Sequence, residues 1–321
     1  ALYALARYRK DAQASELFER SVACMLQYWS PEAGWQTDAL QALGLEVVDW
    51  SFIGGIARAI GPLVKYYRHT GHGPSLYLAQ LLARKACREC YASGAFSLER
   101  LGAHTHSITC VLSSLAQLAN LTGDAAMMAT VKQFYDHGLW RVRDELGWAL
   151  ENAGPQADPD RGERNTTGDL IETALLLGAF GYPEYYGDAE RMLRGHLLPS
   201  QVLDTSFIPQ PSNSGHVDGL RDLPARHEGA FGFPAPYGHE TLDGSPISFN
   251  MDIVGGVVSS LCAAWQAVAT YDGSLHEVNL FFDYEDEAIA LLSPYTHDGL
   301  GMVLKRPGAV SLRLPEWLHP K

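Results

Sequence analysis

Residues 115–129 read Leu-Ala-Gln-Leu-Ala-Asn-Leu-Thr-Gly-Asp-Ala-Ala-Met-Met-Ala, an apolar helical pattern that stops at Thr122-Gly123 and resumes after Asp124. A glycine followed by a capping aspartate indicates a tight turn between two helices. Similar pairs surround Thr70-Gly71 in residues 63–79 and Gly181 in residues 175–193. Because the turns recur at intervals of roughly 50 to 65 residues, the pattern predicts a weak repeat of helical hairpins.

Apolar residues at helical spacing predict helices at 13–28, 46–69, 75–91, 107–121, 125–137, 167–181, 186–198 and 252–271. Helical hairpins must stack to bury their apolar faces, either as a closed ring of six or as an open solenoid. Residues 170–181 and 253–264 are apolar nearly all round, which is typical of buried inner helices of a ring. Because fewer than twelve helices are predicted, we expect part of the first hairpin to be missing from this chain.

Two stretches interrupt the helices, and a third pattern follows them. Residues 139–166 and 199–251 are rich in Pro, Gly, Asp and His, and long loops of this kind are typically functional. Short strands are predicted at 276–283, 288–292, 302–305 and 310–314. The prediction is an (α/α) six-hairpin toroid over 1–274, followed at 275–321 by the start of an antiparallel β-sandwich domain.

Composition limits the partners. The 321 residues carry a net charge of −13, which argues against nucleic acid and anionic membranes because both attract clustered Lys and Arg. No apolar run approaches the roughly 18 residues of a membrane-spanning helix. The chain shows no signal peptide and starts in mid-helix at Ala1, so its export stays open.

The cysteines predict neither a disulfide framework nor a metal site. There are five, an odd number that favours a reducing compartment, and we expect a cytoplasmic protein. Cys87 and Cys90 form a CxxC, but it lies in a helical pattern without a second pair, which is typical of ordinary buried thiols. No phosphate-binding or dinucleotide fingerprint is present, so no cofactor is expected.

The tail carries three distinctive stretches, Val278-Asn-Leu-Phe-Phe-Asp283, Ser293-Pro-Tyr-Thr-His-Asp298 and Val310-Ser-Leu-Arg-Leu-Pro-Glu-Trp317. Together they resemble the junction between α/α toroid and β-sandwich in the bacterial β-L-arabinofuranosidase family of glycoside hydrolases. The resemblance covers roughly residues 160–317. It implies the toroid fold and activity on a glycosidic bond.

The catalytic motifs of that family are only partly present. The family has a Gly-Glu pair whose glutamate is the acid/base, and a Glu-Thr-Cys whose glutamate helps to bind zinc. Gly162-Glu163 and Glu172-Thr173 are similar, but Ala174 replaces the cysteine, and no cysteine lies near residues 249–251, where the family's later pair would fall. The resemblance therefore implies an acid/base role for Glu163 without a zinc-bound thiolate nucleophile.

Carboxylates near Glu163 supply a second catalytic group. A helix is predicted to begin at Thr166 or Thr167, and Asp169 and Glu172 are three residues apart on it, so they share one face. Glycoside hydrolysis uses two carboxyl groups separated by about 5–5.5 Å or about 6.5–9.5 Å. The alternative is a carboxylate that stabilises the helix dipole and pairs with Arg161 or Arg164.

Several other polar and aromatic residues are candidates for sugar binding. His104 and His106 flank a helix start, where histidines bind hydroxyls, transfer protons or make structural hydrogen bonds. Trp50 beside Asp49 suits ring stacking with a hydrogen-bonding carboxylate, or equally a core tryptophan beside a capping aspartate. The remaining predicted substrate-binding residues are Arg164, His239, Asn250 and Asp252.

Four functions are consistent with these patterns. The first is a glycoside hydrolase that cleaves a plant or bacterial oligosaccharide with paired carboxylates. The second is a lyase on a uronate-containing glycan, with a histidine base and an arginine. A sugar epimerase and a non-catalytic carbohydrate-binding relative are the others. The oligomeric state stays open, with a homodimer among the alternatives.

Overall fold

The computed structural model describes residues 1–46, 51–159, 161–231 and 251–315. The chain divides into two units, the first comprising Ala1–Arg141 with Ala153–Pro155, the second Val142–Asn152 with Gln156–Lys321. In the described ranges, no helix is both long and apolar enough to cross a membrane.

The first unit is built from helices joined by short turns. Its helices are α1 (Leu2–Arg9), α2 (Ala12–Tyr28), α3 (Thr37–Ala42), α4 (Ile60–Thr70), α5 (Gly73–Ala86), α6 (Leu98–Leu101), α7 (Thr105–Thr122) and α8 (Ala125–Asp136). Two-residue strands β1 (Trp29–Ser30) and β2 (Gly34–Trp35) pair antiparallel between α2 and α3. A π-helical turn, Cys87–Tyr91, extends α5.

The second unit combines helices with two small sheets. Its helices are α9 (Arg164–Phe180), α10 (Tyr185–Met192), α11 (Leu223–Arg226) and α12 (Met251–Val268), and a π-helical turn, Leu193–Leu197, extends α10. Its strands are β3 (Ala269–Tyr271), β4 (Leu275–Val278), β5 (Tyr284–Glu285), β6 (Ile289–Leu292), β7 (Gly301–Leu304) and β8 (Ala309–Leu312).

The predicted hairpins are present at all three repeated turns. Helix α4 packs on α5, α7 on α8 and α9 on α10. Gly71, Gly123 and Gly181 end the first helix of each pair with φ of 74°, 68° and 118°, a left-handed conformation that favours glycine. Asp124 then caps α8, because its carboxylate accepts a hydrogen bond from the Met127 N–H at 2.9 Å. Local turn chemistry therefore suffices to define each hairpin.

The predicted bounds of the helices at 46–69 and 252–271 are wrong. The helix predicted over 46–69 begins only at Ile60, after a short 3₁₀ turn at Ile56–Ala59. The helix predicted over 252–271 ends at Val268, and β3 follows it at once. Thr270 and Tyr271 pair with β4 instead, a choice that suits β-branched and aromatic residues.

The strands follow the predicted order, with one difference in pairing. Strands β5, β6 and β7 form an antiparallel sheet, and β3 pairs antiparallel with β4, but β8 pairs parallel with β4. The strand predicted over 276–283 ends at Val278. The Phe281 N–H donates to Glu190 Oε1 and its carbonyl accepts from Arg194, so these groups are unavailable to a ladder. The β-sandwich and the boundary at residue 274 stay predictions.

A buried carboxylate joins α10 to the strands of the second unit. Glu190 is 5% exposed and binds Arg194, Arg313 and the Phe281 N–H. Arg313 also donates from Nε to the Asn279 carbonyl at 2.5 Å. Removing one partner of a buried ion pair lowers the free energy of unfolding far more than removing one partner of an exposed pair. This cluster therefore holds the strands against the helix.

Candidate active site

Helix α9 begins three residues earlier than predicted. Its N-cap is Glu163, whose backbone is extended (φ −100°, ψ 131°), and the Thr166 N–H donates to the Glu163 carbonyl at 3.1 Å. Thr166 and Thr167 are fully buried inside the first turn. Thr167 donates its hydroxyl to the Gly147 carbonyl at 2.7 Å, so this threonine anchors α9 to the preceding loop and does not cap it.

The segment that leads into Glu163 is held closely by the same loop. A Cβ on Gly162 would lie 2.5 Å from the Ala149 carbonyl oxygen and 2.8 Å from Trp148 Nε1, so only glycine fits. The Glu151 N–H donates to the Arg161 carbonyl at 2.8 Å. Glu163 therefore starts from a rigid backbone, and its side chain makes no capping hydrogen bond to α9.

Asp169 and Glu172 lie on one half-buried strip of α9, as their spacing predicts. From Arg164 to Gly178, the half-buried residues are Asp169, Glu172 and Leu176, and all others are buried. The burial has a cause in packing: a Cβ on Gly168 would lie 2.5 Å from Ser260 Oγ of α12, and one on Gly178 would lie 2.8 Å from the Tyr186 ring of α10. We call Asp169, Glu172 and Leu176 the α9 strip.

Asn165 is a candidate that the sequence analysis missed. It lies four residues before Asp169, on the same side of α9, and is 1% exposed. Its Oδ1 accepts from the Thr166 N–H at 3.0 Å, while its buried Nδ2 has no hydrogen-bond partner among the described residues. A buried unpaired amide donor is costly, so a ligand hydroxyl or carboxylate would stabilise it. The four-residue spacing to Asp169 was the available signal.

The arginines near Glu163 have defined partners. Arg161 Nε binds Glu151 Oε2 at 3.0 Å, and Arg164 Nη1 donates to the Gly162 carbonyl at 3.3 Å. Arg164, predicted to bind substrate, is 1% exposed. Burial first, and then the charge of Arg164, lower the pKa of His196 to about 3, so that buried imidazole is neutral at ordinary pH.

In the first unit, His104 and His106 lie together at the start of α7. His104 is the N-cap residue, and its Nδ1 lies 2.8 Å from Ser107 Oγ. The two rings meet edge to face with 6.1 Å between centroids, and His106 is 8% exposed. The preceding Gly102 has φ 80°, which turns the chain into the helix. The Ala153 N–H donates to the Ala103 carbonyl at 2.8 Å, which ties Ala153–Pro155 to this turn.

The side chains of the other predicted site residues are not described by the structure. Asp49, Trp50, His239 and Asn250 are outside the described residues. Asp252 is in the first turn of α12, and its side chain is not described. The site roles of all these residues, like those of Glu163, Asp169, Glu172, His104 and His106, stay predictions.

The zinc chemistry of the resembling family does not fit this chain. Ala174, in the place of its cysteine, is fully buried and offers no ligand atom. Within the described ranges, no three His, Cys, Asp or Glu side chains are grouped closely enough to hold a metal ion.

Comparisons with known proteins identify the fold of the chain. The sequence matches no protein-family model and no curated protein. The structure is similar to a GH127 β-arabinofuranosidase, with a TM-score of 0.65 and 14% identity over 98% of this chain and 49% of that chain. A GH127 β-L-arabinofuranosidase from Geobacillus stearothermophilus T6 gives 0.50 and 14% over 80% of this chain and 47% of that chain.

A third similar structure is the unsaturated glucuronyl hydrolase of Bacillus sp. GL1, described as responsible for the degradation of glycosaminoglycan. Its TM-score is 0.51 at 14% identity, over 81% of this chain and 70% of that chain. This chain spans about half the length of the two β-arabinofuranosidases. At such identities the likeness shows the fold, and it confirms the predicted six-hairpin α/α-toroid class and the predicted structural resemblance.

Proposed function

We propose that the chain is a glycoside hydrolase that cleaves an oligosaccharide with Glu163 as acid/base and Glu172 as the partner carboxylate. Asp169 is the alternative partner. One observation carries the proposal: on a helix that is otherwise buried, two carboxylates lie on its half-buried strip, with a third at its N-cap. Paired carboxyl groups on one substrate-facing surface are what glycoside hydrolysis requires.

The surroundings support an acid/base role for Glu163. Its backbone is immobilised by Gly162 and the 147–151 loop, and preorganised groups make effective acid/base catalysts. Asn165 adds a buried donor on the side of α9 that carries the strip. We propose that its Nδ2 donates to a sugar hydroxyl. His104 and His106 belong to the first unit, and their role in sugar binding stays a prediction.

The lyase is the second candidate. It needs a cation that faces the uronate carboxylate, and the predicted cation, Arg164, is as buried as Asn165 and donates from Nη1 to the Gly162 carbonyl. One structurally similar enzyme degrades glycosaminoglycan, so the proposed substrates include acidic oligosaccharides. The sugar and the linkage are left open.

The test is a comparison of substrates with good and poor leaving groups. Glu163→Gln is expected to lower kcat by about 10²- to 10⁴-fold for an alkyl glycoside, and far less for a nitrophenyl glycoside that leaves without protonation. Loss of the partner carboxylate is expected to slow both classes alike. Glu172→Gln and Asp169→Asn therefore identify which of the two is the partner.

Glu184→Gln is the matched control, because Glu184 is an exposed glutamate of the same unit at the start of α10. Reducing ends and the absorbance of unsaturated uronates are recorded together. Equal losses for both leaving groups in Glu163→Gln would refute its role as the acid. New reducing ends without absorbance are expected for the hydrolase. Absorbance that rises together with the new reducing ends would replace it with the lyase, because elimination forms an unsaturated uronate on one fragment and a reducing end on the other.

A further inference from the structure

We propose that a second pocket, apart from the α9 strip, binds the carboxylate of an acidic sugar residue. The inference rests on the proposed function, since it assigns an oligosaccharide to the protein. The pocket lies in the second unit and has a volume of about 390 Å³, in the usual range for small-molecule sites. Its lining includes Arg191, Arg194, Arg313, Tyr295 and Glu190, and we call it the arginine pocket.

The charge of the arginine pocket is opposite to that of the chain. The sequence has 37 acidic and 24 basic residues, yet three arginines and one carboxylate line this cavity among the described residues. Glu190 binds both Arg194 and Arg313, so one negative charge faces two guanidinium groups. Arg191 pairs with Asp188 at the more exposed edge. The cluster keeps a net positive charge, which an anionic ligand would balance.

Each of the three arginines also keeps one nitrogen available. Arg191 and Arg194 donate from Nε and Nη2, to Glu145, Asp188, Glu190 and Phe281. Arg313 uses its Nε and Nη2 in the same way, for Asn279 and Glu190. No described residue accepts a hydrogen bond from any of the three Nη1 groups. Arg313 Nη1 lies beside Gly187, a lining residue without a side chain, 3.6 Å from where a Cβ would be.

The ring of Tyr295 lines one side of the pocket. The Arg194 guanidinium lies between two rings, 4.0 Å from the Phe282 centroid and 4.2 Å from that of Tyr295. Tyr295 is 47% exposed, so part of its ring remains to contact the C–H face of a sugar. Planar guanidinium groups match the planar carboxylate of a uronate, and preorganisation lowers the entropic cost of binding.

The experiment measures binding in the Glu163→Gln protein, so that no substrate is consumed. Trigalacturonate and its fully methyl-esterified counterpart are titrated by calorimetry, because they differ in charge and share the sugar. The acid is expected to bind at least about tenfold more tightly than the ester. Arg191→Gln is expected to weaken the binding of trigalacturonate about five- to tenfold, because a charge-assisted hydrogen bond is lost.

Arg221→Gln is the matched control, because Arg221 also pairs with an aspartate three residues earlier, Asp218, and does not line the pocket. It is expected to leave the affinity unchanged. Equal affinities for acid and ester, or equal effects of Arg191→Gln and Arg221→Gln, would overturn the proposal. If inorganic sulfate displaced trigalacturonate at a sulfate concentration near the Kd of trigalacturonate, the assignment of the ligand as a sugar would be overturned.

Failure of the pocket and failure of the hydrolase are distinguishable. If the carboxyl variants leave hydrolysis of neutral glycosides unchanged while trigalacturonate still binds through Arg191, the hydrolase proposal falls and the pocket stands. If hydrolysis depends on Glu163 but Arg191→Gln leaves the binding of trigalacturonate unchanged, the proposal for the arginine pocket is refuted and the hydrolase proposal stands.

Discussion

A buried histidine is expected to make the second unit less stable in acid. His196 lies in the π-helical turn after α10, is 2% exposed, and has its pKa lowered from 6.5 to about 3 by burial and by Arg164. In the unfolded chain the same imidazole takes up a proton near its ordinary pKa. As pH falls below that value, the unfolded state gains a proton that the folded state does not bind, so stability is lost.

The size of the effect follows from the two pKa values. Stability from this residue is fully present above the unfolded pKa and falls by about 1.4 kcal/mol per pH unit down to the folded pKa. Between about pH 7 and about pH 5, the free energy of unfolding is expected to fall by about 2 kcal/mol through His196 alone. In His196→Gln the side chain stays polar and loses its titration, so this part of the pH dependence should disappear.

Urea unfolding of the wild type and of His196→Gln, followed by circular dichroism at the two pH values, measures the difference. Subtracting one protein from the other removes the contribution of the remaining histidines. His216→Asn is the control, because His216 is exposed in the same unit and its φ of 52° suits asparagine. The reasoning is refuted if His196→Gln loses as much stability as the wild type between the two pH values.

Two further predictions concern packing in the second unit. Glu190→Gln is expected to lower the free energy of unfolding by about 3–5 kcal/mol, since Arg194 and Arg313 lose their shared buried carboxylate; an unchanged thermal midpoint would contradict this. Gly256→Ala is expected to cost about 1–3 kcal/mol, because its Cβ would lie 2.8 Å from the Asn165 Cβ. The neighbouring Gly255 has open space around it, so Gly255→Ala is expected to stabilise α12 by up to about 1 kcal/mol; equal effects of the two alanines in urea unfolding would refute the close contact.

Local signals explain why the hairpins were predictable. Gly71, Gly123 and Gly181 end helices through backbone conformations that depend on the residue itself, and Asp124 caps α8 from three residues away. The shared face of Asp169 and Glu172 follows equally from helix periodicity. Such features need no knowledge of distant parts of the chain.

Tertiary contacts explain what the sequence did not predict. Thr167 reads as a cap, but its hydroxyl binds the Gly147 carbonyl, twenty residues away. The strand at 276–283 is cut short by Glu190, ninety-one residues from Phe281. Arg313 reaches the same carboxylate across 123 residues. The hydrophobic pattern of the sequence does not indicate which distant residues pair. It therefore could not predict the start of α9 or the arginine pocket.

The burial of Ala174 bears on which nucleophile this chain could use. Position 174 is fully buried, whereas Glu172 lies on the half-buried strip two residues earlier. Burial in this chain suppresses thiol ionisation, since it raises the pKa of Cys87 to about 12 and that of Cys90 to about 11. A thiolate needs a metal or a nearby cation to form in such surroundings, and Ala174 offers no sulfur at all. The ionisable groups of α9 that are not fully buried are the carboxylates of Asp169 and Glu172, and this is the physical basis of the carboxylate mechanism that we propose.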